Sequence, residues 1–186
     1  MEASCILWRR IDSPGHDGCR LEQTARGWQL AGTAAYLHDD QPAHLAYEVT
    51  CDTDWRASEG RVRGWIGSRV LELHIARTPE GAWIFHGAPV AGFDDCADVD
   101  FGFTPATNLS QLRRVDLAVG QTADVPVAWL DVTSGQLEVL RQRYERRSEW
   151  TYWYEAPRFG YAALLEVTPA GFVRRYPGLW EAEPTR

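Results

Sequence analysis

Residues 28–51 read WQLAGTAAYLHDDQPAHLAYEVTC, and this stretch decides the fold class. Apolar residues alternate with polar or small ones over residues 28–37 and again over 44–51, a pattern typical of strands with one buried face. The turn formers Asp39-Asp40-Gln41-Pro42 lie between the two segments. The stretch therefore predicts two antiparallel strands joined by a tight turn.

The same alternation recurs in short segments along the chain. Residues such as Asp17-Gly18, Glu59-Gly60 and Ser134-Gly135 are predicted turns between them. Residues 104–112 differ, because Thr104 followed by Pro105 is the arrangement of a helix N-cap and first helical residue. We expect one short helical turn there. The other predicted strands are residues 19–24, 61–75, 82–87, 98–103, 114–119, 125–132, 136–147, 150–155, 161–167 and 172–176.

These patterns predict an all-β fold, with one large antiparallel sheet of about 12 to 14 strands rolled into a barrel or half-barrel around an apolar interior. No linker, repeat or low-complexity run divides the chain, so residues 1–186 are predicted to form a single domain. A rolled sheet of more than about eight strands encloses more volume than its side chains readily fill. The fold therefore makes an internal cavity plausible.

The composition excludes several classes of function. The chain has 26 acidic and 19 basic side chains and a net charge of -7, which opposes binding to nucleic acid or anionic membranes. The sequence contains no Lys, so Schiff-base chemistry, a pyridoxal-phosphate anchor and a phosphate-loop lysine are excluded. No metal or nucleotide motif is present, and we expect no cofactor.

The four cysteines, Cys5, Cys19, Cys51 and Cys96, form no C-x-x-C pair. We interpret them as reduced thiols in a cytoplasmic protein. No segment approaches the roughly 18 apolar residues that cross a bilayer, so stable membrane insertion is not expected.

Aromatic residues are abundant, with nine Trp, seven Tyr and six Phe. On a strand, Trp150, Tyr152 and Tyr154 share one face and Trp153 lies on the other. Trp and Tyr combine apolar surface with a hydrogen-bonding group, which suits an amphipathic ligand. Ordinary packing of the sheet is the alternative for each single aromatic residue.

Asp98 and Asp100 are expected to share one face of a strand. Two neighbouring carboxylates could hold a divalent metal, act as an acid/base pair on a glycoside or accept hydrogen bonds from sugar hydroxyls. The alternative is structural, since Arg113 or Arg114 could pair with these carboxylates and account for the charges without catalysis.

Gln142 and Tyr144 alternate with Arg141 and Arg143 along one predicted strand. If the arginines face solvent, Gln142 and Tyr144 point into the interior. Buried polar groups need hydrogen-bond partners from the protein or from a ligand.

The stretch DVDFGFTPATN at residues 98–108, followed by Arg113-Arg114, resembles the signature of the glycolipid-binding family of bacterial proteins, formerly a domain of unknown function. Tyr47-Glu48-Val49, Ala128-Trp129 and Tyr176-Pro177-Gly178-Leu179-Trp180 resemble further parts of that family, so the resemblance covers nearly the whole chain. Residues 109–112 depart from it, with Leu-Ser-Gln-Leu where the family has Thr-Leu-Pro-Ile. The resemblance implies a β-sheet rolled around an apolar cavity and carries no catalytic residues.

The leading hypothesis is non-catalytic binding or carriage of a small amphipathic molecule, a glycolipid or an acyl chain. The alternatives are a hydrolase that acts on a sugar or lipid through Asp98 and Asp100, and an interaction domain with a filled core. The oligomeric state is left open. Candidate contacts to the ligand's polar head are Asp98, Asp100, Asn108, Arg113, Gln142 and Tyr144, and candidates for the cavity wall are Trp129, Tyr152 and Trp180.

Overall fold

The computed structural model describes residues 3–184, which form fifteen strands, one α-helix and one short 3-10 helix. The helices are α1 (Asn108–Val115) and the 3-10 helix Pro157–Phe159. The strands are β1 (Ser4–Arg10), β2 (Gly15–Thr24), β3 (Gly27–His38), β4 (Gln41–Cys51), β5 (Ala57–Ile66), β6 (Arg69–Arg77), β7 (Trp83–Phe85), β8 (Ala88–Val90), β9 (Asp98–Phe101), β10 (Thr122–Asp131), β11 (Gln136–Ser148), β12 (Thr151–Ala156), β13 (Tyr161–Val167), β14 (Val173–Tyr176) and β15 (Trp180–Ala182).

All fifteen strands belong to one sheet, in the order β8-β7-β6-β5-β4-β3-β2-β1-β15-β14-β13-β12-β11-β10-β9. Most neighbours are consecutive in the sequence and antiparallel, as in a meander, and β1 pairs with β15. The exception is β9, which runs parallel to β10 and is connected to it through α1. A parallel pair needs a crossover connection of this kind. The all-β prediction is confirmed, with fifteen strands and one parallel pair.

The sheet is rolled so that its two ends come together. The edge strands β8 and β9 are not neighbours in the sheet, and other contacts join the two ends. The backbone N–H of Ala57 donates to the carbonyl oxygen of Ala97 at 2.9 Å, and Trp83 Nε1 donates to the carbonyl oxygen of Cys96 at 3.1 Å. Arg69 donates to the carbonyl oxygen of Thr133 at 2.7 Å. These contacts close the rolled sheet without a continuous strand ladder.

The interior is partly filled by residues 96–112, here called the central segment. Every residue of this segment except Gly102 is buried, including all four residues of β9. On one side of β9, Val99 and Phe101 pack against Gly60 of β5, where an added Cβ would lie 3.1 Å from the Phe101 ring. Asp98 and Asp100 lie on the opposite side of β9, as predicted. The interior is therefore not an open hollow, because the chain's own backbone occupies much of it.

Several predicted boundaries are wrong. The single strand predicted at residues 61–75 is the hairpin of β5 and β6, with Gly67 in the turn at φ +56°. At Asp17-Gly18 and at Glu59-Gly60 the sequence predicts turns, but these residues lie inside β2 and β5. At Asp17 the reason is tertiary, because side chains far away in the sequence satisfy its buried carboxylate.

The region around α1 also differs from the prediction. The helix begins at Asn108 after the N-cap residue Thr107, while Thr104 Oγ1 accepts a hydrogen bond from the Ala106 N–H at 3.0 Å in the preceding turn. The strand predicted at residues 114–119 is wrong, since α1 continues to Val115 and ends at a left-handed Asp116. Strands β1, β8 and β15 were not predicted. β8 and β15 have three residues each, too few for alternation to be recognised.

A buried carboxylate fixes the central segment to the sheet. Asp17 on β2 is fully buried, and the Tyr47 hydroxyl lies 3.1 and 3.0 Å from its two oxygens. The Thr104 hydroxyl donates to Asp17 Oδ2 as well. Tyr47 can take this position because Gly32 lies opposite it, where a Cβ would come within 2.3 Å of the phenol. Burial raises the pKa of Asp17 to about 6, although the hydrogen bonds from Thr104 and Tyr47 lower it.

We predict that Asp17→Asn changes how stability depends on pH. Because the folded pKa of Asp17 lies above the value of about 3.9 in an unfolded chain, the folded state holds this proton more tightly. Its contribution is complete below pH 4 and is lost as pH rises to about 6, by roughly 3 kcal/mol at most. Urea unfolding between pH 4 and 7 should show a flatter pH profile for Asp17→Asn than for the wild type. Parallel profiles would contradict the burial argument.

Candidate functional site

A cavity of about 470 Å³ lies inside one end of the rolled sheet. It is bounded by the last residues of β1, β3, β10 and β12, and by the 3-10 helix. The corner of the central segment at residues 102–105 forms another side. The cavity therefore lies within the rolled sheet, beside the corner of the central segment.

The wall of the cavity is largely aromatic. Trp129 lies against Gly102, where an added Cβ would be 2.7 Å from Trp129 Nε1, so the missing side chain leaves room for the indole. Phe159 meets Trp129 edge-on at 5.4 Å between ring centroids and is 55% exposed, which places it at the mouth. The aromatic residues that line the cavity are Tyr36, Phe103, Trp129, Tyr154, Phe159, Tyr161, Tyr176 and Trp180.

Asp100 and Asn108 contribute polar groups to the cavity, and we call these two residues the polar floor. Gln142 Nε2 and Gln111 Nε2 donate to Asp100 Oδ2 at 2.8 and 3.0 Å. Asn108 Nδ2 donates to the Tyr144 hydroxyl at 2.7 Å, and that hydroxyl donates to Gln111 Oε1 at 2.7 Å. The polar floor is thus held in place by one hydrogen-bond network that joins β9, α1 and β11.

Asp100 retains an oxygen for a further interaction. Both of its hydrogen bonds end on Oδ2, and within residues 3–184 no side chain or backbone group donates to Oδ1. Burial raises the pKa of Asp100, the hydrogen bonds from Gln142 and Gln111 lower it, and the charge of Asp98 raises it again. Within these described residues the carboxyl group therefore has amide donors and no paired cation.

Charged side chains near the mouth are already paired or hydrogen-bonded. The Arg10 guanidinium lies over the rings of Tyr36 at 4.7 Å and Trp180 at 5.2 Å, and it donates to both carboxylate oxygens of Asp12 at 2.9 and 2.5 Å. Burial raises the pKa of Asp131, but hydrogen bonds within its turn outweigh this and hold the pKa below its usual value. Arg10 is the arginine on the cavity wall, and Asp12 neutralises it.

Asp98 is occupied by a structural ion pair. Arg114 binds it in a bidentate manner, with Nε 3.0 and 2.9 Å from the two oxygens and Nη2 2.6 Å from Oδ2. Burial raises the pKa of Asp98, and the hydrogen bond and charge of Arg114 offset part of this effect. Arg113 instead donates to the carbonyl oxygens of Pro169 and Ala170 at 3.3 and 2.7 Å. The structural ion pair predicted as an alternative role for Asp98 is thus present, and Arg114 is the partner.

The structure brings part of the predicted binding set together. Four of its members, Asp100, Asn108, Trp129 and Trp180, line the cavity. Their positions are compatible with the prediction that they contact a ligand, which remains a prediction.

The other predicted contacts do not line the cavity. Gln142 and Tyr144 lie behind the polar floor and hold it through hydrogen bonds. Asp98 and Arg113 are engaged elsewhere, and Tyr152 lies beneath the Arg146 guanidinium at 5.6 Å. Gln142 and Tyr144 therefore hold Asp100 and Asn108 in position, and Tyr152 does not line the cavity.

Sequence reasoning missed several residues of the site, among them Gln111, Tyr36 and Arg10 and most of the aromatic wall. Gln111 lies one helical turn after Asn108, a spacing that places both on one face of α1, but it falls where the sequence departs from the family pattern. No local sequence pattern marks Tyr36 and Arg10 as binding residues, because they reach the cavity only when the sheet is rolled. The buried Tyr36 hydroxyl has no hydrogen-bond partner among the described residues.

Residues 3–184 give no indication of a metal site or of a membrane-spanning helix. No group of three or more His, Cys, Asp or Glu side chains in this range is placed to hold a metal ion. No helix in it is long and apolar enough to cross a membrane. All four cysteines are free thiols, and Cys5 is exposed while the other three are buried.

Together these features define an all-β protein whose single rolled sheet keeps an amphipathic cavity at one end. The chain belongs to the family described as "Putative glycolipid-binding", whose model matches residues 5–182. The crystal structure of a DUF1089 family protein from Pseudomonas aeruginosa is similar, with a TM-score of 0.78 and 27% identity over 89% of this chain and 91% of that one. A search of the curated proteins gave no match. The resemblance recognised at residues 98–108 is confirmed.

We predict that Arg114→Ala and Arg113→Ala differ strongly in their effect on stability. Loss of Arg114 leaves the fully buried Asp98 without its cation, which should cost about 3–5 kcal/mol. Loss of Arg113 removes exposed hydrogen bonds to carbonyl groups and should cost about 1 kcal/mol. Urea unfolding at pH 7 measures both values. Equal losses for these neighbouring residues would contradict a structural role specific to Asp98 and Arg114.

Proposed function

We propose that this protein binds a small amphipathic molecule, of the glycolipid or acyl-chain type, in the cavity without catalysis. The observation that carries the proposal is the cavity itself, in which an aromatic wall meets a polar floor of Asp100 and Asn108. Ligand sites are typically apolar clefts with a few polar groups that fix orientation. The family's description as glycolipid-binding supports the same class of ligand.

The size of the cavity supports this proposal. Its volume of about 470 Å³ falls within the range of roughly 300–1,000 Å³ found for small-molecule sites. Each methylene group that a ligand buries contributes about 0.8 kcal/mol, so even part of an acyl chain adds substantial affinity. Phe159 at the mouth offers apolar surface for the remainder of such a chain.

The geometry gives less support to a hydrolase that uses Asp98 and Asp100. General acid/base work on a glycosidic bond needs two carboxyl groups that flank the substrate. Asp98 is fully buried against Arg114 and does not line the cavity, whereas Asp100 does. The geometry also gives less support to an interaction domain with a filled core, because a cavity remains beside the central segment.

The proposal treats residues 1–186 as one binding domain that acts in the cytoplasm. The continuous sheet from β8 to β9 favours a single domain, and four free thiols suit a reducing compartment. Its partner is the small molecule itself. The proposal is independent of the oligomeric state.

A substitution that fills the cavity tests the proposal. Ala156 is buried on the cavity wall, so Ala156→Leu adds side-chain volume where the ligand would lie. Titration of delipidated protein with alkyl glucosides and fatty acids of increasing length should show saturable changes in tryptophan fluorescence. We expect Ala156→Leu to weaken this binding at least about tenfold, which corresponds to a loss of 1.4 kcal/mol.

The matched control is Ala162→Leu, since Ala162 is an exposed residue on the neighbouring strand β13. It should bind like the wild type, and thermal unfolding should show that both variants are folded. Absence of saturable binding to the wild type over all chain lengths, or equal binding by both variants, would contradict the proposal.

A further inference from the structure

The polar floor presents oxygen atoms that lack donors. Asp100 Oδ1 receives no hydrogen bond within residues 3–184, and both protein donors to this carboxylate are used on Oδ2. Asn108 uses its Nδ2 group on the Tyr144 hydroxyl, and within the same residues no hydrogen bond reaches its Oδ1. A ligand that satisfies both oxygens must donate at least two hydrogen bonds.

The charges that face the cavity disfavour an anion. Asp100 and Asp131 line it, and Arg10 on the same wall is already paired with both oxygens of Asp12. His38 uses Nε2 on the Thr133 hydroxyl at 3.1 Å. An anionic head group would therefore meet carboxylates without an unpaired arginine from residues 3–184 in the cavity lining to balance them.

The position of Asp100 indicates which end of a ligand would reach the floor. Asp100 lies opposite Trp129 in the β9–β10 ladder, and β10 continues beyond Trp129 to Asp131. The Phe159 ring lies 5.4 Å from that of Trp129, and Phe159 is exposed at the mouth. The acceptors of the polar floor therefore lie inside the cavity, and Phe159 offers exposed apolar surface at an entrance that the already paired or hydrogen-bonded Arg10 and Asp131 also border.

We propose that the ligand enters with its polar end first, and that this end is an uncharged group with two or more hydroxyls, such as a sugar. Its hydroxyls donate to Asp100 Oδ1 and Asn108 Oδ1, and its apolar chain lies towards Phe159. This inference rests on the proposed function and narrows it, because it excludes fatty acids and other anionic amphiphiles as preferred ligands.

Asp100→Asn provides a precise test, because it changes one acceptor into a donor. Gln111 and Gln142 both donate to Oδ2, so the oxygen of the new amide must occupy that position. The amide nitrogen then replaces Oδ1 and presents two N–H donors to the cavity. This variant should therefore bind hydroxyl donors less tightly and anionic acceptors more tightly.

The experiment compares amphiphiles that share one ten-carbon chain, below their critical micelle concentrations. Decyl glucoside, decyl sulfate and decyltrimethylammonium are titrated into delipidated wild-type protein and into Asp100→Asn at pH 7, and affinities are measured by calorimetry. For the wild type we expect decyl glucoside to bind at least about tenfold more tightly than either charged probe, as expected for a hydrogen bond to a charged acceptor. Asp100→Asn should reduce the preference for the glucoside over the sulfate by about tenfold.

The control is Asp124→Asn, the same substitution at an exposed position of β10, which should keep the wild-type preference. Equal affinity of the wild type for glucoside and sulfate would overturn the inference while leaving the proposed function intact. Tighter binding of decyltrimethylammonium would overturn it too, in favour of a cation site. If no probe binds to the wild type, the proposed function itself fails.

Discussion

The structure depends on how the inside of a large rolled sheet is filled. Protein interiors are packed as densely as organic crystals, and inward side chains from fifteen strands do not fill a barrel of this size alone. The central segment supplies the missing volume with a strand, a corner and a helix that are almost completely buried. The cavity lies where the corner of this segment at residues 102–105 leaves space beside the sheet.

Backbone placed inside a barrel brings polar groups with it, and these must find partners. Three buried aspartates illustrate the possible solutions. Asp98 has the cation of Arg114, Asp17 has the hydroxyls of Tyr47 and Thr104, and Asp100 has two amide groups. The first two anchor the central segment. Asp100 alone among these three lines the cavity, where one of its oxygens receives no hydrogen bond from the part of the chain that the structure describes.

The sequence predicts those features that follow from local periodicity. Strand parity correctly places Asp98 and Asp100 on one face of β9, and Gln142 and Tyr144 together on one face of β11, which is the buried face. It does not show that β9 lies inside the barrel. Asp98 and Asp100 alternate with apolar residues just as they would on a strand with one face in solvent, so the pattern does not reveal that both faces of β9 are buried. Non-local contacts decide this, as they decide that Asp17-Gly18 continues a strand.

The position of the cavity and most of its lining could not be predicted from local sequence patterns. Arg10, Tyr36 and Trp180 are distant in the chain and meet only because β1 pairs with β15 and the sheet is rolled. The family resemblance predicted a hollow, and the structure shows that the chain itself occupies much of it. Gln111, in the stretch that departs from the family pattern, became identifiable only through its hydrogen bonds to Asp100 and Tyr144.

The pairing of β1 with β15 has a consequence for biosynthesis. Trp8 Nε1 donates to the carbonyl oxygen of Val173, a partner 165 positions away, whereas most other ladders join consecutive strands. At a translation rate of about 5–20 residues per second, β15 emerges roughly ten to thirty seconds after β1. During that interval the edge of β1 that later pairs with β15 has no partner. Nascent chains of this protein thus expose an unpaired, aggregation-prone strand edge until β15 has been synthesised.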